Sequence, residues 1–349
     1  MKKVLVCFSI LLSFIIAACD ASRDEYQPQN ECTAGVASVC PNAHYLNLII
    51  TEGTIVNPVT KIYTSFDYGK TFFPTIVEVT PGNYLRSVLS TGRRLLSIVG
   101  GSVELILLSE DGGQTVRALN PFPSSLNVRK VYSLGMSDDN IAAIVGNDKG
   151  RQSLVLSKDT GNTWVKANIS GVTGNLDQMQ LSGNNILLST YTVQGVFNPY
   201  LKLFWISKDG GQTFKLISLP GGITIQDFCD LSISGDEVLV LGSVKQKPAT
   251  GKTPLSNKAE MIQTRNVVPH LYLSKDSGSS FSEIIYDSPQ WFLARFAKIE
   301  GSDVVIFISN GKKQAQLLVS RDLGNNFIAE SIPGNNVIGI EALSLSFNY

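Results

Sequence analysis

The octapeptide Ser207-Lys208-Asp209-Gly210-Gly211-Gln212-Thr213-Phe214 decides the fold, because it recurs. Variants start at Ser65, Ser109, Ser157, Ser274 and Ser320, so successive starts lie 44, 48, 50, 67 and 46 residues apart. Six matches to Ser-x-Asp-x-Gly at near-constant spacing define a repeat. The residue types suit a tight turn. Asp accepts hydrogen bonds from backbone N–H groups of its own turn, and Gly supplies a positive φ. Hydroxyl residues serve the remaining turn groups, and the closing aromatic (Phe72, Trp164, Phe214, Phe281 and Phe327) opens the next strand. These aspartates are turn builders, neither catalysts nor metal ligands.

Each turn follows a short apolar run, as at 105–108, 154–156, 203–206 and 317–319, and nothing between the repeats has a helical period. The third unit reads as four strands, 131–134, 141–145, 153–156 and 164–167, with the turn between the last two. Four antiparallel strands in roughly 40–50 residues make a propeller blade. The repeat resembles the Asp-box, or bacterial neuraminidase repeat, of β-propellers that include sialidases. The resemblance covers about residues 45–349. It implies an all-β fold, a six-bladed β-propeller with four-stranded blades. Only two strands, 45–50 and 60–64, fit before the first turn, and one, 338–347, remains after the last. That C-terminal strand is expected to complete blade one and close the ring.

A leader precedes this body. Lys2 and Lys3 stand before a mostly apolar run, 4–16, which is shorter than the roughly 20 residues a bilayer span needs. The run ends in Ile16-Ala17-Ala18-Cys19, which is similar to the lipobox of bacterial lipoproteins. That resemblance implies cleavage before Cys19, lipid attachment to its sulfur, and a membrane-anchored place in the cell envelope. The expected plan is a signal peptide at 1–18, a polar tether at 19–44 and the propeller at 45–349. Cys32 and Cys40 lie close together in the tether and are expected to form a disulfide outside the cytoplasm. Cys229 falls in an apolar run and reads as a core residue. His44 and His270 are the only histidines, too few for an expected metal site.

Charge narrows the partners. Lys+Arg and Asp+Glu are both 29, and losing Lys2 and Lys3 leaves a small acidic surplus. A general nucleic-acid binder needs a basic surplus to neutralise phosphates, so that class is excluded. Gly251-Lys252-Thr253 mimics part of a phosphate loop, but Gln246 stands where a glycine is required and Pro254 follows. No nucleotide or other cofactor is expected.

The expected site is the channel mouth opposite the repeat turns. Gap-free alignment of the innermost strands brings Glu341, Arg86, Tyr132, Asp177, Cys229 and Arg295 into one register. Polar groups flanked by apolar residues are costly unless paired or functional. Two readings stay open: ion pairs between blades, such as Glu341 with Arg86, or a site for an anionic ligand. The connection 245–269, with Lys245, Lys247, Lys252, Lys258 and Arg265, and the aromatic stretch 191–200 are expected on the same face. Such a rim suits a protein partner or an acidic glycan. Sialidases use an arginine triad, a Tyr/Glu pair and an acidic Asp, and Arg86, Arg295, Tyr132, Glu341 and Asp177 supply those types. The family's Phe-Arg-Ile-Pro motif is missing, however, and no Asp lies between His44 and the first repeat. Fold alone does not license an activity. The sequence favours a lipid-tethered scaffold that binds an envelope or extracellular protein, with an exo-sialidase-like glycosidase as the alternative.

Overall fold

The computed structural model describes residues 44–53, 58–65, 73–76, 84–91, 94–100, 104–111, 115–119, 122–192, 201–220, 225–244, 269–286, 293–309, 315–332 and 337–347. The expected lipid site Cys19, the Cys32–Cys40 pair and the connections 193–200 and 245–268 lie outside them. The chain opens with β1 (His44–Gly53), β2 (Pro58–Ser65) and β3 (Phe73–Ile76). Blade I follows as β4 (Tyr84–Thr91), β5 (Arg94–Gly100), β6 (Leu105–Ser109) and β7 (Arg117–Ala118). Blade II is β8 (Val128–Ser137), β9 (Asn140–Asn147), β10 (Gln152–Ser157) and β11 (Val165–Lys166). Blade III is β12 (Asn175–Ser182), β13 (Asn185–Thr192), β14 (Leu201–Ser207) and β15 (Lys215–Ile217). Blade IV is β16 (Ile225–Ser234), β17 (Glu237–Val244), β18 (Pro269–Ser274) and β19 (Ser282–Ile284). Blade V is β20 (Leu293–Glu300), β21 (Asp303–Ser309), β22 (Ala315–Ser320) and β23 (Ile328–Ser331), and β24 (Val337–Phe347) ends the described chain.

Each blade is an antiparallel meander with its first strand innermost. The innermost strands pack against one another in cyclic order, β24, β4, β8, β12, β16, β20 and back to β24, which makes the fold a closed β-propeller. The remaining sheet has the order β24-β1-β2-β3, with Leu46 opposite Leu345 and Leu48 opposite Leu343. The expectation of a six-bladed propeller is thereby corrected in its blade number, while the C-terminal strand does pair with β1 as expected. Five four-stranded blades are continuous in sequence, and the sixth sheet is a composite of the two ends. Counting the repeat counts hairpins between third and fourth strands, and the first such hairpin, β2–β3, has no continuous blade around it.

There is no single central core. Apolar side chains pack between neighbouring sheets: Leu96, Ile98 and Leu108 of blade I meet Val131, Leu134 and Val145 of blade II, and four comparable clusters follow around the ring. Second strands are covered on both faces, which is why β9 and β21 read as near-continuous apolar runs and not as alternations. Outermost strands are short and exposed, as in β7 and β11.

The repeat turn is a closed hydrogen-bond unit. In blade II the Ser157 hydroxyl donates to Asp159 Oδ1 (2.7 Å) and accepts from the Gly161 N–H (2.8 Å). Asp159 also accepts the Thr163 N–H (2.8 Å) and hydroxyl (2.7 Å). Thr163 first, then Ser157, hold this carboxyl down at about 2. Blade V uses Asn326, whose side-chain amide donates to Asp322 Oδ2 at 2.6 Å. The residue before the glycine is also left-handed: Thr160 (φ 54°), Ser277 (54°) and Leu323 (56°), with Gly210 (67°) in blade III. That turn aims an N–H at the inner hairpin of the same blade, as in Thr160 to Asp139 (3.0 Å) and Leu323 to Ser302 (2.8 Å).

Candidate functional site

Innermost strands run from the mouth toward the repeat turns, and near the mouth end every one of them carries a β-bulge. In β8, Val131 pairs with Val145 and Ser133 with Ile144, so Tyr132 is the extra residue. The same register shift leaves Arg86 extra in β4, Cys229 in β16, Arg295 in β20 and Glu341 in β24. In β12 the shift between Leu176 and Met179 sets Asp177 and Gln178 against Ser189. The six residues aligned from sequence are therefore six equivalent bulge positions in one layer of the channel. A bulge removes its residue from the ladder and re-aims it, a device concentrated near binding sites. Cys229 is the extra residue of β16 at this level.

Polar side chains from the third strands reach this layer. Glu104, Gln152 and Lys202 each stand five residues before a repeat serine. The Val131 N–H donates to Glu104 Oε2 across the blade I–II boundary. Gln152 Nε2 donates to the Leu176 carbonyl (2.8 Å) across the next boundary. Each thus secures backbone beside a neighbouring bulge. Lys202 turns instead to the bulge of its own blade. Its ammonium lies 2.5 Å from Asp177 Oδ2 and 5.2 Å from the centre of the Tyr191 ring. The Ser189 hydroxyl donates weakly to the same carboxylate oxygen (3.4 Å) and accepts the Gln178 N–H (3.1 Å). Among the described residues Asp177 therefore pairs within blade III.

Tyr132 holds the equivalent bulge position in blade II. It is 36% exposed, with Lys130 Nζ 4.9 Å from its ring centre. Its ring lies across Gly146, where an added Cβ would come within 2.6 Å of Tyr132 Cε2. Glycine at 146 is what lets the ring lie flat on β9. Arg86, Arg295 and Glu341 hold the same position in β4, β20 and β24.

A buried charge pair that links two blades lies one layer further in. Asp230 and Lys298 are both buried, with Lys298 Nζ 2.9 Å from the carboxylate and 3.2 Å from the Leu231 carbonyl. Asp230 also accepts the Leu231 N–H (2.9 Å) and the Ala297 N–H (3.2 Å). Burial pushes this carboxyl above its ordinary value, and Lys298 opposes the shift. Between blades II and III the equivalent place is filled by Ser133, whose hydroxyl accepts the Met179 N–H (3.2 Å). Sequence reasoning missed Lys202, Lys130, Asp230 and Lys298. The constant five-residue offset before the repeat serine was the available signal for the first.

The opposite end of the channel is acidic. Burial, then the charges of Asp138 across the ring and of Asp303, raise Glu300 to about 7. Burial also raises Asp303 to about 6, against the pull of Arg321. Among the described residues no group of His, Cys, Asp or Glu is arranged to hold a metal, and no helix is long and apolar enough to cross a membrane.

No protein-family model matches this chain, and no curated protein matches it. Similar solved structures exist. One is the β-propeller domain of the trilobed protease from Pyrococcus furiosus, at 10% identity and a TM-score of 0.47 over 82% of this chain and 80% of that one. Another is YCF48 bound to D1 peptide, at 9% identity and a TM-score of 0.42 over 80% of this chain and 73% of that one.

Proposed function

We propose that this protein is a non-enzymatic scaffold of the bacterial cell envelope, held to the membrane through a lipid on Cys19, whose channel mouth binds a protein partner. The observation that carries the reading is the layer of six bulges, with Arg86, Tyr132, Asp177, Cys229, Arg295 and Glu341 at equivalent places in β4, β8, β12, β16, β20 and β24. A bulge takes its residue out of the ladder and re-aims it, a device concentrated beside binding sites. The likeness of the repeat to the Asp-box supports an extracytoplasmic propeller, and the lipobox-like Ile16-Ala17-Ala18-Cys19 supports the anchor. A Cys32–Cys40 disulfide fits that compartment.

Photo-cross-linking tests the mouth directly. A photoreactive residue at Tyr132 should capture envelope proteins in cells, while one at Val165, 68% exposed on outermost β11, should not. Capture from Val165 and not from Tyr132 would sink the mouth assignment. Turnover of a fluorogenic sialoside, abolished in Arg86→Ala, would replace this reading by a sialidase-like glycosidase. Metabolic lipid labelling that fails on the native chain, or that persists on Cys19→Ala, would remove the anchor.

A further inference from the structure

We infer that the mouth end of blade II is a docking site for an acidic, extended segment of a partner protein. This deepens the protein-binding reading of the mouth and rests on it. Four cations crowd one end of β9. Arg129 and Lys130 open β8, where a second register shift, between Val128 and Lys130, makes Arg129 an additional bulge residue. Lys149 and Arg151 sit in the β9–β10 turn. Asn147 Oδ1 accepts the N–H groups of both (3.0 and 2.9 Å), and the Asn147 N–H donates to the Arg151 carbonyl (3.0 Å). Lys130 and Gln152 both pair with Gly146, from opposite sides. Two strand spacings, about 10 Å, therefore separate Lys130 from the β10 strand that Arg151 leads.

All four side chains are exposed, and none is in an ion pair among the described residues. The acids nearby are Asp148, in the same turn, and Glu104, which accepts the Val131 N–H. The flanking connections 119–127 and 168–174 contain no charged residue. Like charges held this close repel one another and gain most from an anionic partner. At the other end of the propeller, the inner hairpins carry Asp138, Asp139, Asp236, Glu300 and Asp303. Two of those acids are already paired there, Asp139 with Arg94 (2.7 Å) and Asp236 with Lys208 (3.3 Å), whereas the four mouth cations have no such pairs among the described residues.

The dimensions favour a peptide over a lipid surface. Alternate side chains of an extended strand are about 7 Å apart, so successive carboxylates on one face span this cluster. Tyr132, beneath Lys130, supplies the aromatic anchor that protein interfaces favour. A membrane surface would call for several exposed apolar side chains beside the cations. Among the described residues the other large exposed hydrophobics are Val165, Leu216, Ile285 and Ile328, of which three lie on outermost strands β11, β15 and β23.

Fluorescence anisotropy of the full chain with a labelled peptide of alternating Glu and Ser tests this, with a Gln/Ser peptide as control. The Glu peptide should bind and the Gln peptide should not. Joint Arg129→Gln, Lys130→Gln, Lys149→Gln and Arg151→Gln should weaken binding by about tenfold or more at low salt, and the difference should shrink as salt rises. Joint Lys158→Gln, Lys166→Gln, Lys215→Gln and Lys275→Gln removes as many exposed charges elsewhere and should leave binding unchanged. Equal losses from the two sets overturn the inference, as does displacement of the peptide by phosphatidylglycerol vesicles or by heparin. Cross-linking at Tyr132 that persists with no preference for the Glu peptide overturns this inference and leaves the mouth reading standing.

Discussion

Gly324→Ala isolates what the repeat glycine does. Gly324 sits at φ +83°, and an added Cβ would lie 2.6 Å from Ile284 Cδ1 and 3.0 Å from Ile284 Cγ2, on the last strand of the preceding blade. Two costs combine. A left-handed alanine costs about 1–2 kcal/mol, and overpacking against a buried neighbour adds about 1–3 kcal/mol. The expected loss is about 2–5 kcal/mol, which lowers Tm by roughly 3–8 °C for a domain of this size. Gly183→Ala is the control, because it has φ +56° and nothing within 4 Å of its Cβ, so only the first cost applies. Adding Ile284→Val to Gly324→Ala removes the 2.6 Å contact and should make the double variant less destabilised than the sum of the singles by about 1 kcal/mol. Thermal and urea unfolding followed by circular dichroism measure all four. If Gly324→Ala costs no more than Gly183→Ala, or if the double variant is strictly additive, the glycine is only a turn residue and the contact between blades is not what it serves.

Other expectations concern charge and the mouth. Asp230→Asn or Lys298→Met alone leaves one buried charge unpaired and should cost about 3–5 kcal/mol in urea unfolding. Asp230→Ser with Lys298→Gln, the residue types at Ser133 and Gln180, should recover most of it, and failure to do so would show that the two places are not equivalent. Glu300 and Asp303 are raised in the folded state, so it holds their protons more tightly than the unfolded chain does. Their stabilising contribution is complete below the ordinary values of 4.5 and 3.8 and is lost as pH climbs through about 6 and 7. The urea midpoint should fall across that window and flatten in Glu300→Gln; a midpoint that rises there contradicts the burial argument. Gly146→Ala should displace the Tyr132 ring and abolish capture from that side chain while Tm drops by only a few degrees, about 1–2 kcal/mol.

The all-β class and the turn chemistry were legible because their interactions are local. Every bond that Asp159 makes to Ser157 and Thr163 lies within four residues, so the octapeptide encodes its own geometry. The left-handed Thr160, Ser277 and Leu323 were not legible. Their φ is imposed by an N–H that must reach the inner hairpin, some twenty residues earlier in Thr160's case, and a β-branched residue gives no hint of that. The candidate layer was half visible. Alignment picked out Arg86, Tyr132, Asp177, Cys229, Arg295 and Glu341, but that each is a bulge depends on register against a second strand.

By itself, then, the sequence determined where the hairpins fall, which short apolar runs lead into them, and which six residues align along the innermost strands. Those follow from short-range hydrogen bonds and from period and offset along one chain. Tertiary structure alone decided the partners. Lys202 meets Asp177 across 25 residues, Asp230 meets Lys298 across 68, and β24 meets β1 across nearly the whole described chain. Side chains that distant come together only after neighbouring sheets have buried their apolar faces. Which carboxylate takes which ammonium is then set by the few ångströms that each bulge moves its strand.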